Sequence, residues 1–445
     1  MPPPQTRTFR HLHSIDHTAF LNDLKQTSLV TNPPESLSHL VDLYDSTLSN
    51  LLDKHAPIVT KRSARVTPSQ PWFTDSLRTA RRECRHAESA YRSTRSYSDY
   101  ALYKTLRNRY HKLVVAAKKA YYFFLVADSA SNPRRQWDIV NRILHRNSSI
   151  VLPSSVSLSS LASQFATFFK EKISQLRLTF SANHVQSPHY PSPLASPPDF
   201  SVFLPATEDE IIKLISDCPN KQCGLDAIPT SLLKHCCHIL APVITRIVNL
   251  SLSTGQFCPK LKQSIITPLL KKPSLDKENV SNYRPISNLS TISKIIERVV
   301  KSRLTDHLTQ NTLFNPLQSA YRKFHSTETV LLSLHDHLIH AVGQQHITCL
   351  CLLDLSAAFD TIDHTILLER LSQWFGVHGT VLTWFRSYLS DRSFCVKCSG
   401  ELSQPHHSCY GVPQGSVLGP IPILAMLDER YLKLISATIM QRGSE

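Results

Sequence analysis

Apolar residues recur at helical spacing through much of the chain. The run ALYKTLRNRYHKLVVAAKKAYYFF, starting at Ala101, repeats Leu, Tyr and Val at steps of three and four and predicts a helix. Thr207-Glu-Asp-Glu210 has the pattern of a capping box and opens IIKLISDC as another. GLDAIPTSLLKHCCHILAPVITRIVNLSLSTGQF predicts an apolar helix pair with Gly255 near its end. IITPLLKK reads as a strand, and STISKIIERVVKSRLTDHL and TETVLLSLHDHLIHAV as helices. ITCLCLLDL, residues 347–355, is apolar on both faces and predicts a central strand. Asp363 then stands as the N-cap of a helix HTILLERLSQWF, with Asp360 hydrogen-bonding locally to hold the intervening turn. SFCVKC reads as a further strand. Helices alternating with central strands from about residue 205 predict a mixed α/β (α+β) domain.

Composition adds a folded class, since 41% of 445 residues are hydrophobic, enough for two or three domains. With 10 Gly against 28 Pro, glycine-rich phosphate loops are disfavoured. Charge changes the picture more. The net charge is +15, and Lys61 to Tyr122 holds fifteen Lys/Arg against four Asp/Glu, a local excess of 11. Two readings of this segment stay open. Its cations are a solvated helical face, or, with seven interleaved tyrosines, a surface for a phosphate backbone. On the second, Arg78, Arg81, Arg82, Arg85, Lys104, Arg107, Arg109, Lys112, Lys118 and Lys119 contact nucleic acid. The expected organisation is a basic, mostly helical, linker-like region over 1–180, a Pro/Ser-rich linker over 181–204, the α/β domain over 205–425 and a divergent tail over 426–445.

MPPPQTRTFRHLH lacks the apolar core of a signal peptide, and no segment looks long and apolar enough to span a bilayer. The chain is therefore expected inside the cell, in nucleus or cytoplasm, with no membrane partner and eleven reduced cysteines.

Asp354 carries the candidate chemistry. A carboxylate where a buried strand runs out suits a hard cation such as Mg²⁺, although such an Asp also simply caps an exit turn. Cys395-x-x-Cys398 with His406, His407 and Cys409 offers zinc-type ligands, but a strand sends positions 395 and 398 to opposite faces. His235-Cys-Cys-His238 sits in an apolar helical run, where buried thiols are the reading.

Four blocks occur in order: NYRPIS…SKIIERVV, LQSAYRKFHSTETVLL, LDLSAAFDTIDH and GVPQGSVLGP. Together they resemble the reverse transcriptase domain of LINE-type (non-LTR) retrotransposons over roughly residues 205–422. More weakly, DLYDSTLSNLLDKHAP and QPWFTDSLRTARR resemble the segment preceding the polymerase in such elements. The resemblance implies a right-hand polymerase fold, here fingers and an incomplete palm, acting on an RNA template, a DNA primer or target, and deoxynucleotides with Mg²⁺. It implies that Asp354 and the Leu355 carbonyl bind metal, and that Phe359 closes on the sugar 2′ position. Core packing is the alternative for that ring. Gln414 and Gly415 match the turn that supports nucleotide and template. Arg284 matches the arginine that holds the triphosphate, with Lys271 or Lys272 helping or remaining solvated hairpin charges.

After Gly419-Pro420-Ile421 the text PILAMLDERYLKLISATIMQRGSE departs from that pattern. It contains no Tyr/Phe-x-Asp-Asp hairpin, and Asp428-Glu429 falls where relatives have an earlier Asn-Asp. One aspartate cannot position two ions, so a catalytically incomplete enzyme with an open sheet edge is expected. The alternative is a non-catalytic nucleic-acid-binding or interaction protein that uses residues 61–122.

Overall fold

The computed structural model describes residues 5–63, 71–130, 132–144, 152–153, 157–182, 197–220, 223–315, 318–350, 352 and 357–420. Met1–Phe9 and Val59–Ile150 make one compact unit, and Arg10–Ile58 with Val151–Glu445 another.

Strand β1 (Gln5–Arg10) precedes helices α1 (His17–Lys25), α2 (Ser28–Thr31) and α3 (Leu37–His55). Asp16 starts α1 by accepting the Thr18 and Ala19 amides, and the helix buries Phe20 and Leu24. Strand β2 (Ile58–Ser63) pairs with β1. Helices α4 (Asp75–Thr94) and α5 (Tyr97–Asp128) pack on each other, followed by α6 (Pro133–Ile143). Helix α4 buries Leu77, Ala80, Cys84 and Ala87, four small or apolar residues on one stripe. Helix α5 runs unbroken for 32 residues and buries none fully.

Helix α7 (Leu158–Ala182) belongs to the second unit and lies on its sheet. Then come α8 (Glu208–Ser216), α9 (Thr230–His235) and α10 (Cys237–Thr254), closed by Gly255 in the left-handed conformation. Strands β3 (Ser264–Leu270) and β4 (Tyr283–Asn288) form an antiparallel hairpin. Helices α11 (Thr291–Gln310), α12 (Thr327–Gly343), α13 (His364–Phe375) and α14 (Gly379–Leu389) lead to β5 (Arg392–Cys398), which pairs parallel with β3. The short β6 (Glu401–Leu402) and β7 (His406–Ser408) pair antiparallel with β5 on its other side. The fold is a mixed helix–sheet one, as the alternation of patterns predicts.

The main core gathers α1, α3, α8, α10, α11, α13 and α14. At its centre Trp384 is fully buried, stacks on Tyr388 and donates from Nε1 to Ser251 Oγ at 3.0 Å. A second cluster seats Phe165 and Phe169 of α7 on Ile266, Tyr283, Phe394 and Val396 of the sheet.

Three expectations are corrected. Residues 347–350 and 352 form no strand, and Ile347 (91%) and Leu352 (82%) are exposed. A central strand needs ladder partners on both edges, and among the described residues no strand pairs with this run. The same region of α12 leaves Leu331, Leu332 and Val342 exposed. Thr207 does accept the Glu210 amide at 3.3 Å, but the Glu210 side chain turns to Arg303 in a bidentate pair (2.9 and 2.7 Å) instead of closing the box. Conversely, Ser326 and Thr329 cap α12 reciprocally. Finally, α10 is by length and composition sufficient to cross a membrane, yet it buries Leu240, Ile244, Ile247 and Val248 in the core.

Candidate functional site

The GVPQG segment is held on both sides. Gly411 donates its amide to Ile362 O at 2.8 Å, and Val412 donates to Phe359 O at 2.7 Å. On the opposite side Ser287 of β4 donates to Gln414 O at 2.8 Å, so the loop occupies the outer edge of that strand. Both glycines are required by these contacts. A Cβ on Gly411 (φ +75°) would lie 2.5 Å from Phe359 O, and one on Gly415 (φ +125°) 2.5 Å from Ser287 O. His364 Nε2 donates to Gly411 O at 2.7 Å, and burial pushes that imidazole's pKa down.

The turn carrying Phe359 is built on Ala357, whose φ is +55° and whose carbonyl accepts from Asp360 N at 2.8 Å. That backbone bond holds the turn. The Asp360 carboxylate makes no side-chain hydrogen bond among the described residues, contrary to expectation, and lines a cleft instead. Burial raises its pKa, and Lys172 pulls the other way. Asp363 caps α13 as expected, accepting from Thr365 N (2.9 Å) and Ile366 N (3.3 Å), and also pairs with Arg177 of α7. Arg177 stacks over the Tyr410 ring at 3.6 Å, which ties α7 to the start of the loop.

The cleft is walled by Phe169, Lys172 and Ile173 of α7, by Pro285 and Ser287 of β4, by Phe359 and Asp360, and by Gly411 to Gln414. It thus brings together Phe359 and Gln414 of the expected residues. Phe359 is half-buried and packs against the main core as well as lining the cleft. Gly415 adjoins as the turn's hinge on Ser287. Arg284 is exposed on β4, opposite Leu269. Lys271 is exposed too and donates from Nζ to Ser281 O at 2.9 Å. Its pKa is lowered by burial first, then by Lys172 and Arg284. Lys272 is exposed at the hairpin tip, with no side-chain contact to the cleft among those described. Asp354 and Leu355 lie outside the described residues.

The described residues assemble no group of three or more His, Cys, Asp or Glu able to hold a metal ion. The one carboxylate in the cleft wall, Asp360, has a lysine beside it, so these residues by themselves do not fit a divalent cation. Cys395 and Cys398 both lie on β5 as the pattern predicts, and His406 stacks on Phe394. Burial raises the thiol pKa of Cys236 to about 12, as suits an inert core cysteine.

Two residues escaped the sequence reading. Glu297 of α11 is fully buried and accepts from Val417 N (2.6 Å) and Leu418 N (3.2 Å), directly behind the Gln414–Gly415 turn. Its signal was a charge on a stripe Ser293, Glu297, Val300, Leu304 that is otherwise core-facing. Lys172 escaped because α7 precedes the linker; its signal was the spacing from Phe165 and Phe169, which puts all three on one helix face.

In the other unit, Arg78, Arg81, Arg82 and Arg85 of α4 line one open groove with Phe73, His86 and Ser89. At 3.6 residues per turn the four arginines fall within an arc of about 100°. Arg81 lies over Phe73 at 6.0 Å and Lys118 of α5 over Trp72 at 4.6 Å. Arg107 sits over Tyr103 at 5.7 Å, and Lys104, Arg109, Lys112 and Lys119 are exposed on α5.

Residues 270–440 match the family model for reverse transcriptase (RNA-dependent DNA polymerase), and the chain carries such a domain. The match starts later and runs further than the 205–422 suggested by motifs alone. Among curated proteins, the probable RNA-directed DNA polymerase from transposon BS of Drosophila melanogaster is 31% identical over 220 residues, 49% of this chain and 24% of that protein. The RNA-directed DNA polymerase from mobile element jockey of Drosophila funebris is 24% identical over 452 residues, covering 92% of this chain and 48% of its own length. The Pol polyprotein of retrotransposable element R2 of Popillia japonica is 30% identical over 172 residues, 38% of this chain and 23% of its own. These relatives are RNA-directed DNA polymerases or Pol polyproteins of transposable elements. The chain spans about a quarter of the length of the first relative and about half of the jockey protein.

Proposed function

We propose that residues 1–445 form the nucleotide-binding side of an RNA-directed DNA polymerase, comprising fingers and an incomplete palm, and that this polypeptide alone does not extend a primer. The observation that carries the reading is the doubly anchored Gln414–Gly415 turn facing Phe359 across one cleft. In this reading Phe359 contacts the sugar of a deoxynucleotide, Gln414 and Gly415 support the base pair with the RNA template, and Arg284 with Lys271 receives the triphosphate. Asp354, with the Leu355 carbonyl, is the residue assigned to Mg²⁺, whose oxygen-ligand preference fits a carboxylate and a carbonyl. The sequence supplies no Tyr/Phe-x-Asp-Asp to complete that site. Primer extension on an RNA template, with Asp354→Asn as control, tests the claim. Background signal from both is expected; product from wild type that disappears in the variant would sink the claim of inactivity. Nuclear or cytoplasmic residence accompanies the reading.

The α4 groove supports a second, compatible reading, a nucleic-acid surface outside the cleft. Replacing Arg78, Arg81, Arg82 and Arg85 with alanine should weaken single-stranded RNA binding and flatten the plot of log affinity against log salt. The slope should change by up to about 3, at roughly 0.7 for each phosphate no longer neutralised. An unchanged slope in a fluorescence-anisotropy titration would remove α4 from the interface.

A further inference from the structure

Lys172 has no place in the motifs that define the domain, yet α7 delivers it to the cleft. Phe165 and Phe169 fix α7 on the sheet, and Lys172, seven and three residues further on, shares their face. The side chain is half-buried in the cleft wall and enters no ion pair among the described residues. The cleft wall beside it holds a single carboxylate, Asp360, and Lys271 and Arg284 stand on the adjoining β3–β4 hairpin, where Lys172 and Arg284 both act on the Lys271 charge. Arg392 also lines the cleft but is engaged, donating to Tyr388 O at 2.9 Å and stacking on that ring. Lys172 and Arg392 against Asp360 leave the cleft wall with an excess of positive charge, and Lys271 and Arg284 add to it from the adjoining hairpin. A compact polyanion would neutralise it.

We propose that Lys172 is a third anion-binding residue of the cleft, taking the polyphosphate of a nucleoside triphosphate together with Lys271 and Arg284, with Asp360 opposing it. The proposal rests on the nucleotide reading given above. It differs from a merely structural role, in which Lys172 exists to balance Asp360, by predicting effects of opposite sign from the two residues. Removing Lys172 takes away a charge-assisted contact, whereas removing the Asp360 charge releases Lys172 to the ligand.

The test is equilibrium titration of the full chain in EDTA with inorganic tripolyphosphate, with dTTP and with a single-stranded oligonucleotide. Lys172→Met keeps the aliphatic stem in the cleft wall while the charge goes. It should weaken both tripolyphosphate and dTTP by about tenfold, the scale of one hydrogen bond to a charged group. Lys172→Arg should restore most of the affinity, and Asp360→Asn should tighten binding several-fold. Oligonucleotide affinity should stay unchanged. Equal affinities in wild type and Lys172→Met, or weaker binding by Asp360→Asn, would overturn the proposal while leaving the cleft a nucleotide site. A loss confined to the oligonucleotide would reassign Lys172 to a nucleic-acid backbone and overturn it as well. Wild type that bound neither tripolyphosphate nor dTTP would remove the nucleotide reading itself.

Discussion

Replacing Glu297 with alanine is expected to cost about 3–5 kcal/mol of stability, the usual consequence of deleting one member of a buried charged set. The carboxylate is the acceptor for two amides, Val417 and Leu418, and a counter-charge for the buried Arg392. Alanine leaves the two amides without their acceptor and Arg392 without this counter-charge. Denaturant unfolding should show the loss, and amide hydrogen exchange at Val417 and Leu418 should rise before global unfolding does. Glu297→Gln keeps an acceptor and should fall between the two. Its pH response gives an independent check. Burial raises the Glu297 pKa above the ordinary 4.5, so the folded state holds that proton more tightly than the unfolded chain. This group's contribution is therefore full below pH 4.5 and declines as pH rises through the raised value. Wild type should gain on Glu297→Gln as the solution is acidified from neutrality toward 4.5. A difference independent of pH would mean the carboxylate does not titrate in that window.

Gly415→Ala should act as severely on the cleft. The new methyl group would sit 2.5 Å from the Ser287 carbonyl, a backbone atom that cannot swing away, at a φ of +125° that only glycine adopts freely. Gly400 separates the two penalties, since its φ is +109° but a Cβ there meets nothing within 4 Å. Gly400→Ala should cost the conformational strain alone, about 1–3 kcal/mol, and leave dTTP binding intact. Gly415→Ala should exceed that cost, break the Ser287–Gln414 hydrogen bond and lose measurable dTTP binding. Equal behaviour of the two alanines in thermal unfolding and dTTP titration would show that the contact with Ser287 O is immaterial.

These two residues mark what could be read from sequence. Gly415 was legible, because a glycine beside Gln414 in GVPQG already implied close backbone approach, and Asp363 was legible as a cap because capping is local chemistry. The β3 and β5 strands were legible from short apolar runs with β-branched and aromatic residues. The run at 347–352 shows the opposite case. Two-sided apolarity describes a strand only when other strands come to meet it, and that depends on partners far away in sequence. Glu210 failed for a related reason: its own amide is capped locally, but its side chain found Arg303, 93 residues on. Glu297 and Lys172 look like ordinary surface charges until the 411–418 loop and α7 converge from opposite ends of the chain.

The parallel pairing of Ser264 with Phe394 also bears on how the chain is made. During translation the β3–β4 hairpin emerges with no neighbour on the far side of β3, and about 130 residues separate Ser264 from its partner on β5. At roughly 5–20 residues per second that interval is on the order of ten seconds. Helix α7, synthesised earlier still, can meet Ile266 and Tyr283 of the hairpin but waits for Phe394 and Val396 of β5 until the same moment. The cleft is thus complete only once residues up to Gln414 have been made, and a ribosome-bound or prematurely released polypeptide ending before residue 394 would present an open β3 edge and a half-covered apolar face of α7 to chaperones and proteases.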